Sequence, residues 1–389
     1  MNEQTGFWAV FKYEFRSIAT SKIYLWGVIC AALISLGLLM FMMDEGLPQK
    51  MPIAIVDMDN TSTSRTLIRQ LDAFPKIDIK YKSLSFRDAR EKMEQMEIYA
   101  FLTIPKDFTA DAQSGNRPKL VYYTNNAFYI SGSLLYQDLK TISTLASASV
   151  GLKTGTAKGY TELQIMPVVS PIQIDARPLN NPYLNYSVIL NNIIQPCMLQ
   201  LIIFLFTVSS FGREIKERNG SNLLRLAGGS SWKMIWGKLL PNTCVFMMIA
   251  MLYMSVLYYY NGFPMKSSLL PMFVNYLLLV LASQAVGIIL LCVFRNYRFT
   301  VSAASLIGTL AFSVVGFSYP TPSMHPSLTA LSHIFPAKFF YYIYGDQGLN
   351  GFPLAYSFKY YLVLMAFVLL GIMLFPHLRN IVEHDEYEL

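Results

Sequence analysis

Ionisable side chains are missing from six long stretches of this 389-residue chain: 23–43, 178–212, 239–265, 267–294, 299–337 and 360–378 contain no Asp, Glu, Lys or Arg. Each is close to or beyond the roughly 20 apolar residues that one helical crossing of a bilayer needs. Backbone polar groups in lipid must be satisfied within the segment, so these runs are expected to be transmembrane helices. The absence of charge inside them also argues against an ion-coupled transporter, which carries ionisable groups at membrane depth. Cysteine is scarce. Cys30, Cys197, Cys244 and Cys292 all lie inside the charge-free runs. No disulfide framework or thiolate metal site is therefore expected, and the four thiols read as apolar packing groups.

A nucleotide-hydrolysing engine is also lacking. A phosphate-binding loop needs G-x-x-x-x-G-K-[ST]. Gly237-Lys238 has neither the upstream glycine nor a following hydroxyl, and the glycines at 151–159 and 345–351 fit no better. The block between the first and second apolar runs contains no His or Cys. Its paired carboxylates, Asp57 and Asp59, sit in a D-M-D-N-T run suited to turning the chain and capping a helix, which is a bland role compared with catalysis. No catalytic residues, metal ligands or cofactors are assigned to this chain.

What is present is an apolar, mildly basic protein: 53% hydrophobic residues, 14% charged, net charge +7. The positive charge is distributed by topology. Lys12, Arg16 and Lys22 precede the first run. Arg213, Lys216, Arg218, Arg225, Lys233 and Lys238 separate the second and third. Arg295 and Arg298 separate the fourth and fifth, and Arg379 follows the sixth. The alternate loops hold only Lys266 and Lys338, with Lys359 at a span edge. The positive-inside rule then places both termini in the cytoplasm. The excess orients the protein and is not a nucleic-acid footprint.

The expected architecture is an α-helical polytopic membrane protein with six transmembrane helices and an inserted α/β extracytoplasmic domain. Residues 1–22 form a cytoplasmic amphipathic interface helix carrying Phe7, Phe11, Phe15 and Ile18 at helical spacing. Residues 23–43 form a retained first span, since no small-residue cleavage pattern follows. Residues 44–180 form the external domain and 181–378 the remaining spans. A cytoplasmic loop covers 212–238, an external re-entrant or loop region covers 319–358, and 379–389 form a cytoplasmic tail. Within the external domain, strands are expected at 52–56, 77–81, 99–104, 119–123 and 172–176. Helices are expected at 61–74, 85–96 and 129–152, and a mobile loop at 151–159. Asn191, Asn192 and Gln195 cluster before Pro196 in the second span. They are candidates for lining a pathway or for cementing helix packing, packing being the stronger reading.

The loop after the second span carries a resemblance. Glu217-Arg218-Asn219-Gly220-Ser221-Asn222-Leu223-Leu224, followed by Gly237-Lys238-Leu239-Leu240-Pro241, resembles the permease loop of type-2 ABC exporters (the ABC-2 type), in which an acidic residue, Gly-Thr and a leucine stretch precede a Gly-Lys. Ser221 stands where Thr is usual and keeps the hydroxyl. Ile53-Ala54-Ile55-Val56-Asp57-Met58-Asp59 and Ala100 to Phe108 are similar to the variant with a large insert after span one. The resemblance implies a permease half-transporter of the bacterial inner membrane, in a family whose exported cargo ranges over drugs, lipids and polysaccharides; the uncharged spans favour a lipophilic or amphipathic substrate. ATP and Mg would be bound by a partner ABC ATPase subunit. It implies a second permease copy or a sister permease, contact with membrane lipid, and a periplasmic adaptor as a further partner. It assigns ATPase coupling to Glu217, Gly220, Ser221, Leu223 and Leu224. The competing reading is a membrane-anchored receptor or scaffold that uses the external domain to bind a partner, without transport.

Overall fold

The computed structural model describes residues 5–383 apart from 84, 115, 117, 170–184, 295 and 318. The chain separates into two compact units, one made of residues 1–44 and 179–389 and the other of Glu45–Pro178. The first begins with helix α1 (Phe7–Thr20). The interrupted helix α2 follows as Lys22–Tyr24, the π-helical turn Leu25–Cys30, and Ala31–Met42.

The second unit carries β1 (Met51–Asp57), α3 (Ser62–Asp72), β2 (Ile77–Ser83), α4 (Phe86–Glu94), β3 (Ala100–Ile104), α5 (Phe108–Ser114), β4 (Val121–Thr124), α6 (Tyr129–Ala157) and α7 (Glu162–Val169). The strands form one sheet in the order β2-β1-β3-β4. The first three are parallel and β4 is antiparallel. Parallel strands need both faces covered, and the sequence supplies two apolar faces. Ile53 and Ile55 point with Leu67, Ile68 and Leu71 into one core that also takes Leu135 and Leu139 of α6. Ala54 and Val56 point into the other, against Ala89 and Phe101. The start of α3 is fixed by a capping box: Thr61 Oγ1 accepts from Ser64 N and Ser64 Oγ accepts from Thr61 N. Asp57 accepts from the amides of Asp59 and Asn60 and from Ser64 Oγ. Asp59 accepts from the hydroxyls of Thr61 and Thr109. Both carboxylates are thus engaged in turn and cap, leaving no pair poised for acid–base work.

One expectation fails here. The segment 151–159, read as a mobile loop, continues α6 to Ala157, and α7 folds back on it. The glycines are a packing surface: a Cβ on Gly155 would lie 2.5 Å from the Ile165 side chain, and one on Gly151 would lie 2.9 Å from that of Val169. Helix α5 was not anticipated, and the expected strand at 172–176 lies outside the described residues.

The first unit resumes with α8 (Tyr186–Lys216), α9 (Gly220–Leu226), α10 (Ser231–Met254, prolonged by the π-helical Ser255–Tyr260), α11 (Leu269–Val293) and α12 (Tyr297–Val314). It ends with α13 (Pro326–Ser332), α14 (Pro336–Ile343, prolonged by the π-helical Tyr344–Leu349), α15 (Leu354–Met373) and α16 (Phe375–Glu383). Among the described residues four stretches are long and apolar enough to cross a membrane: Tyr186–Lys216, Ser231–Tyr260, Leu269–Val293 and Leu354–Glu383. A shorter apolar helix covers Trp26–Met42. The helices outrun the charge-free windows. Glu214 lies inside α8 and Lys238 inside α10, so the expectation of ion-free helices is corrected at their ends. Residue 379 onward is not a simple tail either, because α16 runs to Glu383 and buries Leu378, Ile381 and Val382. Two large cores hold the unit, beside a smaller cluster of Ala282, Phe339, Ile343, Tyr361 and Leu364. One gathers Tyr253, Tyr276, Phe246 and Phe340. The other gathers Phe204, Phe211, Leu223, Leu224, Met234, Phe375 and Val382, which ties α9 and α16 to the ends of α8 and α10.

Candidate functional site

Helix α1 has two faces. Val10, Glu14 and Ile18, at intervals of four, point into the unit. Phe7, Trp8, Phe11 and Phe15 pack ring against ring at the edge of that face, with Phe11 and Phe15 stacked, Phe7 and Phe11 half-buried, and Trp8 and Phe15 exposed. The expected stripe is therefore graded: Ile18 is buried, Phe7 and Phe11 are half-buried, and Phe15 is exposed. An apolar outer face of this kind suits a lipid interface. The crossing of α1 and α10 is close because of Gly237, where a Cβ would meet Val10 Cβ at 2.7 Å. The start of α1 also touches the end of α9, with Gly6 N donating to Leu226 O at 2.8 Å.

Beneath this crossing lies a buried ion cluster. The Lys238 Nζ donates to Glu14 Oε2 at 2.7 Å and to Glu214 Oε1 at 2.9 Å. All three residues are at most 4% exposed. Desolvating such groups costs several kcal/mol per ion unless geometry and extra hydrogen bonds offset it, and here they do. Glu14 Oε1 accepts from Ser210 Oγ at 2.7 Å and Asn242 Nδ2 at 3.1 Å. Glu214 Oε2 accepts from Asn219 Nδ2 at 2.9 Å and Tyr13 OH at 3.3 Å. Tyr24 OH closes on Asn242 Oδ1. Burial alone would raise the Glu14 carboxyl. The Lys238 ammonium, with hydrogen bonds from Lys238, Ser210 and Asn242, outweighs it and holds Glu14 below the usual carboxylate range. Three chain segments far apart in sequence are thereby pinned at one point.

Helix α9 sits on that junction. Gly220, Leu223 and Leu224 are buried, whereas Glu217, Ser221, Asn222 and Arg225 are exposed. The five residues assigned to coupling thus separate into an inner set (Gly220, Leu223, Leu224) and an outer set (Glu217, Ser221). Gly220 is dictated by sterics: a Cβ there would lie 1.8 Å from Val382 O of α16. Arg218, before it, turns the chain at φ +53°.

Asn191, Asn192 and Gln195 lie elsewhere, deep in the other core of the same unit, and are at most 1% exposed. Gln195 Nε2 donates to Ser35 O and accepts through Oε1 from Ser35 Oγ, each at 3.1 Å. Tyr258 OH donates to Asn192 Oδ1 at 2.6 Å. Asn191 Nδ2 donates to Ser187 O at 3.0 Å. They join α8 to α2 and to the π-helical end of α10.

Sequence reasoning missed Glu14, Glu214, Lys238 and Asn242. The signal was available in α1, where Glu14 falls between Val10 and Ile18 on a face that is otherwise apolar.

The family model for the ABC-2 family transporter protein matches residues 22–375. The chain belongs to the ABC-2 transporter family. Within that family it is 32% identical over 78 residues to the linearmycin resistance permease protein LnrN of Bacillus subtilis (strain 168). That match spans one fifth of this chain and one fifth of the relative. For this ABC-2 chain, the junction of α1, α8, α9, α10 and α16 is the place where a short helix is presented outward on a rigid, internally paired base.

Proposed function

We propose that the chain is the permease subunit of an ATP-driven exporter, energised by a separate ATPase subunit and working as a dimer with itself or with a sister permease. The observation that carries this is α9: a short helix whose Leu223 and Leu224 are sunk in a core and whose Ser221, Asn222 and Arg225 are exposed, as is Glu217 at the end of α8 just before it. A soluble subunit that closes on these outer groups would move α9 as a handle. The ion cluster joins α1, α8 and α10 by direct ion pairs and would pass that displacement between them, so the junction could act as a two-state element that a partner's ligand biases.

On this reading six helices span the inner membrane: the apolar part of α2, then α8, α10, α11, α12 and α15. Both termini and α9 lie in the cytoplasm, and the sheet-bearing unit lies outside, where a periplasmic adaptor would find it. The charge-free stretches within these helices support a lipophilic or amphipathic substrate. The permease family and the LnrN likeness support the ATPase partner.

Co-purification from native membranes in mild detergent tests the proposal. A stoichiometric ATPase subunit is expected with the wild-type chain. Glu217→Ala should lower permease-stimulated ATP hydrolysis roughly tenfold, equivalent to about 1.4 kcal/mol, while expression stays unchanged. If no ATPase is recovered even after cross-linking, the receptor or scaffold reading takes its place.

A further inference from the structure

The sheet-bearing unit contains a cleft that the transport reading leaves unused. It encloses about 490 Å3 at the carboxyl end of β1 and β2 and is lined by Ile55, Asp57, Asn60, Arg65, Ile68, Arg69 and Lys82. That volume lies within the range of small-molecule sites, and the cleft opens outside the carboxyl ends of β1 and β2, one strand away from the β1–β3 point where the strand order reverses. Its floor is apolar, from the buried Ile55 and Ile68. Its rim is cationic.

Each cation is placed by the fold. Arg65 and Arg69 are four residues apart on α3 and share one face. Lys82 is there because of a β-bulge. Ile53 pairs with Ile79, but Ala54 pairs with Tyr81, so Lys80 is left without a partner on β1. The extra residue reverses the alternation that follows. Tyr81 goes to the α4 face with Ala54, and Lys82 goes to the α3 face beside Ile55. Without the bulge Lys82 would pair with Val56 and point to the other side. Bulges that re-aim a side chain are enriched beside functional sites.

The charges are not cancelled within the cleft. Among the described residues no carboxylate forms an ion pair with Arg65, Arg69 or Lys82. The single acid of the lining, Asp57, is turned to the amides of Asp59 and Asn60 and to Ser64 Oγ. Arg65 gives one nitrogen to Asn60 O at 2.8 Å, and Arg69 gives one to Thr66 Oγ1 at 3.2 Å. Each keeps further N–H donors. Two guanidinium forks and one ammonium around a shared space match a phosphate group, which accepts bidentate bonds and carries more than one negative charge.

We propose that this cleft binds a phosphate-bearing ligand, with Arg65, Arg69 and Lys82 holding the phosphate and Ile55 and Ile68 receiving an apolar neighbour of that group. Two sources share this chemistry, a lipid headgroup and a soluble organophosphate.

Calorimetric titration of the full-length protein in phosphatidylcholine nanodiscs tests the site, using sn-glycerol 3-phosphate, phenyl phosphate and short-chain dihexanoyl phosphatidic acid as probes. Saturable binding is expected and should weaken as salt rises. Arg69→Gln and Lys82→Gln, both at exposed positions, should each weaken it roughly tenfold, the scale of one lost charge-assisted hydrogen bond. Lys80→Gln, in the bulge but outside the cleft, should leave it unchanged. Tighter binding of dihexanoyl phosphatidic acid than of sn-glycerol 3-phosphate identifies a lipid source, and equal binding identifies a soluble one. The proposal is overturned if none of the probes binds, if Arg69→Gln and Lys82→Gln bind as the wild type does, or if Lys80→Gln weakens binding as much as Lys82→Gln.

Discussion

Lys238 stands between two carboxylates that have no water to turn to. Replacing it with Met leaves Glu14 and Glu214 facing each other at 4% and 3% exposure. Breaking a buried ion pair from one side costs about 3–5 kcal/mol, because the remaining charge is stranded. Lys238→Met alone should therefore lower the midpoint of thermal unfolding in detergent sharply, read as loss of the monodisperse peak on size exclusion. The triple variant Glu14→Gln, Lys238→Met, Glu214→Gln removes all three charges and should recover most of that loss. A single variant as stable as the triple would mean that the cluster does not bear on stability. At this scale the sequence was partly legible. Gly220 and the leucines of α9 were identified from the loop pattern, and Asp57 and Asp59 were assigned to turn and cap, which is where they lie. The ion cluster was legible only at Glu14, a carboxylate on an otherwise apolar face, because some 200 residues separate it from Glu214 and Lys238 and only folding brings the three together.

The helices themselves were readable wherever apolar periodicity was long, and their ends were not. Helices α8 and α10 run past the charge-free windows because Arg213, Glu214, Lys233 and Lys238 find partners or an exposed face there, so charge does not terminate them. Glycine misled in the opposite direction. In α6 the glycines at 151 and 155 signalled a break, yet they are the flat surface on which α7 lies, a tertiary contact that no local pattern reports. Gly220 shows the same principle at the candidate site. Because its Cβ would collide with the backbone of Val382, Gly220→Ala should push α16 off α9 and cost about 1–3 kcal/mol, the usual scale of overpacking. Limited proteolysis should then cut near residue 383 faster than in the wild type. Cleavage at the wild-type rate would show that the contact yields without cost.

For the whole molecule, the distribution of Lys and Arg and the two structural units lead to one arrangement that can be checked directly. Glu91 lies on α4 of the sheet-bearing unit with its side chain half exposed. Phe352, between α14 and α15, is also exposed, as is Ser221 on α9. If the basic loops face the cytoplasm, cysteines introduced at 91 and 352 react on intact cells stripped of their outer membrane with a maleimide that cannot cross bilayers. A cysteine at 221 reacts only after permeabilisation. Of the native thiols Cys197 is buried but Cys244 is exposed, so the labelling is done in a background with all four native cysteines replaced by Ala. Labelling of 221 from outside would invert the orientation and remove α9 from reach of any ATPase. Labelling of 91 and 221 from the same side would remove α8 as a crossing. Opposite labelling of 91 and 352 would leave an odd number of crossings between them and sink the six-span count. The expected pattern would put the proposed phosphate cleft and α9 on opposite sides of one membrane, so a ligand at the first could influence ATP hydrolysis by a subunit docked on the second only through the helices that join them.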